Sequence, residues 1–178
     1  MAKIIYKENM EGQNNLSSIE GIEIDLLNGQ RALIFPKYSE EKLLESDQID
    51  KWNARALSEI EALKVEDTIS KTVALFNLGS PAANWVLLFV AKDRRQFSLP
   101  SLLAALEIQH QKEEIDALAE TIEGADLLRD FTSYVWSCSR ISSSYGWIAN
   151  GYGGCASSYG LSIAYLAVPT ILYREEEI

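Results

Sequence analysis

Histidine occurs once in this chain, at His110, and cysteine twice, at Cys138 and Cys155. Two cysteines are too few for a disulfide scaffold. Both are expected as thiols, with a mutual bridge as the lesser alternative. One histidine far from two cysteines makes no familiar zinc spacing. Long apolar runs are also missing. The strongest, WVLLFVA at 85–91, is too short to cross a bilayer as a helix, and the opening MAKIIYKENMEG lacks the apolar stretch of a secretory signal. The expectation is a protein without membrane insertion, cytoplasmic or carried in a phage or surface assembly.

Positive charge is scarce. Sixteen Lys and Arg face 26 Asp and Glu, for a net charge of -10, so the average field repels polyanions and no nucleic-acid partner is expected. The best basic run, Lys92-Asp93-Arg94-Arg95, reads as a solvated loop or strand end. Catalytic signatures are absent too. There is no G-x-S-x-G, GYGGCASSYG lacks the closing Lys-Ser or Lys-Thr of a phosphate-gripping loop, and GSPAAN at 79–84 reads as a turn. Acidic helices offer carboxylate pairs at i,i+4, but these read as solvated faces. No cofactor is expected. A thiol enzyme using Cys138 is the remaining enzymatic alternative, and it requires an accessible thiol of low pKa.

What is present is a globular composition, 47% hydrophobic with four Trp, eight Tyr and five Phe. At 178 residues a single domain is the default. Asn28-Gly29 between apolar flanks predicts a hairpin of strands at 22–27 and 31–35 closed by a type I′ turn. Trp52, Ala56, Ile60 and Leu63 recur at helical spacing, which predicts a buried stripe with Trp52 as a core anchor. A further helix is predicted over 66–77, stopped by Gly79. Residues 84–90 read as a buried strand. Ser101 is the predicted N-cap of LLAALEIQHQ, and a second helix carries Ile115, Leu118, Ala119 and Ile122 on one face, ending at Gly124. His110 falls between the two as an exposed or linker residue. Beyond Phe131, short strands are predicted at 134–136, 145–150, 161–168 and 171–173, joined by glycine-rich loops. The order is that of an α+β fold.

One segment departs from the rest. Residues 131–160, FTSYVWSCSRISSSYGWIANGYGGCASSYG, contain no Asp or Glu and only one formal charge, Arg140. A flexible linker would not expose so many aromatics. Sheet core accounts for Trp136 and Trp147 but not for GYGGCASSYG, whose glycines offer nothing to pack. Tyr, Ser, Gly and Asn together are the composition of recognition loops. From the residues alone two readings stay open: core with tight loops, or a contact surface. The absence of carboxylates argues against a calcium-dependent sugar site there.

The ordered set LPSLLAAL at 99–106, Leu118, Ile122-Glu123-Gly124 and YVWSCSRISSSYGWIANGYGG at 134–154 resembles a family of bacterial and phage-associated domains. This family includes the C-terminal domain of the Legionella collagen-like protein and the Fibrobacter major paralogous domains. Leu99-Pro100-Ser101 matches its helix-starting motif, Trp136-Ser137 opens its Trp-Ser motif, and Gly146-Trp147 stands for its Ala-Trp. Cys138-Ser139-Arg140 replaces Ser-Thr-Glu, and Val168-Pro169 stands where the family closes with Val-Arg, so a divergent member is implied. The likeness covers about residues 75–173. It implies a C-type-lectin-like fold, with two helices beside a small, mostly antiparallel sheet and long irregular loops.

On this reading residues 1–74 are a hairpin and helical extension, integral to one domain or appended to it, and 75–178 are the C-type-lectin-like unit. The expected function is non-enzymatic recognition of a carbohydrate or protein partner. Tyr145, Trp147, Tyr152 and Tyr159 are the stacking candidates, and Arg140, Ser143, Ser144 and Asn150 the polar ones. A self-assembling subunit, in which the same surface forms a homo-oligomer interface, is the alternative.

Overall fold

The computed structural model describes residues 1–91, 95–152 and 154–174. In chain order the strands are β1 (Ala2–Tyr6), β2 (Ile19–Asp25), β3 (Arg31–Ile34), β4 (Ser39–Lys42), β5 (Tyr134–Arg140), β6 (Tyr145–Asn150), β7 (Cys155–Gly160), β8 (Ala164–Ala167) and β9 (Thr170–Tyr173). The helices are α1 (Glu59–Leu63), α2 (Thr68–Asn77), α3 (Pro81–Val86), α4 (Leu102–His110) and α5 (Lys112–Ala119). Among the described residues this is a mixed α+β architecture with two sheets. Among the described residues no helix is long and apolar enough to cross a membrane.

The first sheet runs β1-β2-β3-β9 and is antiparallel throughout. The second runs β4-β8-β5-β6-β7 and is antiparallel except where β5 meets β8 at Val135 and Leu166. Both sheets therefore join early chain to late chain, β3 to β9 and β4 to β8. Between the sheets lie α4 and α5. Ala104, Ala105, Ile108 and Ile115 pack with Ile22 and Ile24 of the first sheet and with Val135, Ala149 and Leu166 of the second. Each fully buried Ile or Leu contributes roughly 1.5–3 kcal/mol by leaving water. The opposite face of the second sheet, bearing Trp136, Cys138, Ile148 and Ala167, is covered by Leu75 of α2 and by Ala82, Ala83 and Val86 of α3.

The start of α4 follows the predicted chemistry, and α2 has a cap of the same kind. Ser101 Oγ accepts the Ala104 amide and opens α4, while Asp67 accepts Ser70 N at the start of α2. Gly79 and Gly124 follow α2 and α5 with positive φ, the left-handed conformation that glycine takes without strain. Ile115, Ala119 and Ile122 are buried as one stripe.

Four expectations are corrected. The 84–90 strand is instead α3 and the segment after it, because Ser80 Oγ accepts Ala83 N and Pro81 sits in the first helical turn. The GSPAAN turn is thus a helix start. The long stripe from Trp52 to Leu63 is not one helix. Arg140 donates to the carbonyls of Trp52 and Ala54, Leu57 N donates to Arg140 O, and the helix begins only at the Ser58–Glu61 capping box. Trp52 is buried as expected, but Ile60 is 65% exposed.

The 19–34 hairpin forms without a type I′ turn. Asn9 is the only non-glycine with positive φ among the described residues, so Asn28 is not left-handed. Gly29 N donates to Leu26 O and Leu26 N to Gln30 O, the pattern of a three-residue loop ending in a left-handed glycine. Finally, the second part of GYGGCASSYG, expected as loop, is strand β7. It pairs with all of β6 and lies at the sheet edge, where small side chains are tolerated. Of the basic run at 92–95, Lys92, Asp93 and Arg94 lie outside the described residues.

Candidate functional site

Side chains alternate faces along a strand, and the register of the second sheet decides which residues meet. Tyr134 pairs with Asn150 and Trp136 with Ile148, while Ile148 pairs with Ser157, Asn150 with Cys155 and Gly146 with Tyr159. Tyr134, Trp136, Gly146, Ile148, Asn150 and Tyr159 therefore share one face. Tyr165 joins them, because its neighbour Leu166 pairs with Val135 on the other face. At the inner end of this face Trp136 is fully buried and donates its indole N–H to Glu41 O at 2.8 Å.

The outer end is a cluster of tyrosines. Ring centroids of Tyr134 lie 5.0 Å from Tyr159, 5.1 Å from Tyr165 and 6.0 Å from Tyr152. Tyr159 and Tyr165 are 5.2 Å apart, and Tyr165 is 5.4 Å from Trp136. Tilted and edge-on contacts at these separations are the favourable aromatic geometries. Tyr134, Tyr159 and Tyr165 are half-buried, and Tyr152 is 80% exposed. A hydrogen bond with Tyr159 raises the Tyr134 pKa, helped by desolvation and the neighbouring phenols. Burial and then Tyr159 raise that of Tyr165. These phenols are neutral hydroxyls at physiological pH.

Two features hold this face in shape. A Cβ on Gly146 would stand 2.9 Å from the Trp136 ring and 3.0 Å from Leu161, so only glycine lets the indole lie against β6. The turn after β6, which carries Tyr152, is tied to α4. Gln109 donates to Ser133 O at 2.7 Å and to Ala149 O at 3.2 Å, and His110 Nε2 lies 2.9 Å from Gly154 O. Asn150 Oδ1 accepts the Tyr152 amide. His110 is thus exposed, as expected, but it fastens a loop and is not a bare linker.

Of the predicted contact residues, Tyr152, Tyr159 and Asn150 come together here. Ser143, Ser144 and Tyr145 are exposed but gather at the far end of β6, and Tyr145 points to the other face. Two candidates serve the fold instead. Trp147 is 8% exposed, packs with Leu57, Ala62 and Leu102, and donates to Leu57 O at 2.8 Å. Arg140 is 6% exposed, with its guanidinium 4.5 Å over the Trp52 ring and its donors on the carbonyls of Trp52, Ala54 and Ser142. Tyr134 and Tyr165 were not among the predicted residues. The period-two spacing of Tyr134 and Trp136 was the available signal for the first, whereas Tyr165 needed the β4–β8–β5 pairing.

Both cysteines are free. Burial pushes the Cys138 thiol up to about 11, so it does not supply the thiolate that a nucleophile requires. Among the described residues no three His, Cys, Asp or Glu side chains gather as a metal site. No family model, curated protein or solved structure matches this chain.

Proposed function

We propose that this protein is a non-enzymatic recognition domain that binds carbohydrate through the tyrosine face of its second sheet. The observation that carries this reading is the convergence of four tyrosines from β5, β7, β8 and the β6–β7 turn on one partly open face. Such a face has the means to bind a sugar without a metal. Ring faces stack on the apolar C–H surfaces of a pyranose, and neutral phenol hydroxyls donate and accept hydrogen bonds. Tyr supplies this area at small rotamer cost, and three of the four rings already brace one another.

We further propose a C-type-lectin-like fold and divergent membership of the family that the Leu-Pro-Ser and Trp-Ser motifs resemble, with display on a phage or cell surface as the setting. Ser101 of Leu-Pro-Ser capping α4, followed by α5 and the Trp136-Ser137 strand, supports this. A glycan array with calcium present and then chelated tests the function. Binding that survives chelation is the expected result, and no glycan bound under either condition would contradict it.

A second reading, self-assembly, is favoured by β7. This edge strand carries one row of backbone groups unpaired within its sheet, a template for pairing with another copy. A protein whose mass by light scattering stays monomeric at high concentration would remove it.

A further inference from the structure

Apart from the tyrosine face, the segment 52–54, α2 and β5 enclose a cavity of about 240 Å³ lined by Trp52, Asn53, Ala54, Lys71, Ala74 and Cys138, with Ser70 at its edge. Its walls are mostly apolar. Trp52 and Cys138 are buried there at 6% and 1% exposure. One wall is rigidly set, because the Arg140 guanidinium lies against the Trp52 ring and holds the carbonyls of Trp52 and Ala54.

The electrostatics of this cavity run against those of the whole chain. Among the described residues no carboxylate lines it. Among the described residues Lys71 makes no salt bridge or hydrogen bond, and its charge lowers the Cys138 pKa against the larger effect of burial. Behind Trp52, Arg140 has only carbonyl acceptors for its charge. Asp67 acts electrostatically on both Cys138 and Lys71, and its carboxylate accepts Ser70 N as the cap of α2. In a protein of net charge -10, a lysine with no carboxylate in hydrogen-bonding contact among the described residues lines one small apolar hollow, and Arg140 lies behind its Trp52 wall. The exposed Asn53 side-chain amide also lines the cavity, has no hydrogen-bond partner among the described residues, and adds a neutral donor.

We infer that this cavity binds a small organic carboxylate, with its apolar body against Trp52, Ala54, Ala74 and Cys138 and its carboxylate met by Lys71 and Asn53. The apolar walls select for a flat or branched hydrocarbon body and the lysine for a single negative charge. This site does not depend on the tyrosine face.

The test titrates the intact protein with benzoate, acetate and benzamide, following amide NMR signals of Asn53, Lys71, Ala74 and Cys138 and the Trp52 indole. Benzoate has both the ring and the charge, acetate lacks the ring, and benzamide lacks the charge. Benzoate should give saturable shifts confined to these signals, with acetate and benzamide each at least about tenfold weaker. In Lys71→Met, benzoate should fall to the affinity of benzamide while benzamide itself is unchanged. Ala74→Leu, at an exposed position, should fill the hollow and weaken both ring-bearing ligands. Unchanged signals elsewhere in the spectrum establish that each variant is folded. Absence of saturable shifts with benzoate, or undiminished benzoate affinity in Lys71→Met, would overturn the assignment.

Discussion

Tyr134 and Tyr159 stand on strands separated by β6, yet their rings lie 5.0 Å apart and tilted at 55° to each other. Rings that reach across an intervening strand make a continuous aromatic surface out of three strands. Tyr152 and Tyr165 extend it on either side through their contacts with Tyr134.

That coupling has a pH signature. Tyr134 is held above the usual phenol pKa first by its Tyr159 bond, and Tyr165 first by burial. A phenol whose pKa rises on folding favours the fold while it is protonated, so this stabilisation is complete below the unfolded value of about 10 and is lost as pH rises through the folded pKa. The urea midpoint should be level between about pH 7 and 9 and should fall above 10. Absorbance at the phenolate band should show Tyr134 titrating closer to its ordinary value in Tyr159→Phe.

Gly146→Ala should destabilise the protein by about 1–3 kcal/mol, the range for overpacking a filled core. The new Cβ would meet the Trp136 ring and Leu161, both buried. Urea unfolding measures the loss, and indole fluorescence should report a shifted Trp136.

Trp147 and Tyr152 were equal candidates in the sequence and should separate cleanly in experiment. Trp147→Ala removes a buried indole and its bond to Leu57 O, at a cost of about 3–5 kcal/mol. Tyr152→Ala, at an exposed ring, should change stability by less than about 0.5 kcal/mol. Thermal or urea unfolding of the two variants distinguishes them.

This pair also shows where sequence reading stopped. Local chemistry was legible: the Ser101 cap, the end of α2 at Gly79, β6 at its full length, and the core role of Trp52 all follow from neighbours in the chain, whereas α5 stops at Ala119, short of Gly124. What failed required partners distant in sequence. The carbonyls of residues 52 and 54 are taken by Arg140, almost ninety positions away, so a helical spacing pattern there never becomes a helix. Arg140 reads as a free charge in a neutral loop until Trp52 is found beneath it. Half of the tyrosine face was legible as Tyr152 and Tyr159. Tyr134 and Tyr165 entered only through register, which sets the face each side chain takes.

The two thiols should differ sharply in reactivity. Cys155 is exposed and Cys138 buried, with the Cys138 pKa pushed up to about 11. Near neutral pH a thiol-selective reagent should label one site in the native protein and two after denaturation. Cys155→Ser should abolish the native labelling. Rapid native labelling of Cys138 would revive a thiol-based chemistry.

The central claim is that recognition belongs to the tyrosine face, and the most direct measurement is a calcium-free glycan array run on four proteins side by side. These are the unmodified chain, Tyr134→Ala, Tyr152→Ala, and Tyr145→Ala as an exposed aromatic control at the far end of β6, each first shown by melting to be folded. The account predicts specific binding by the unmodified chain and Tyr145→Ala, and its loss in Tyr134→Ala and Tyr152→Ala. Binding that survives in Tyr134→Ala and Tyr152→Ala but disappears in Tyr145→Ala, or an array blank for all four, would contradict it.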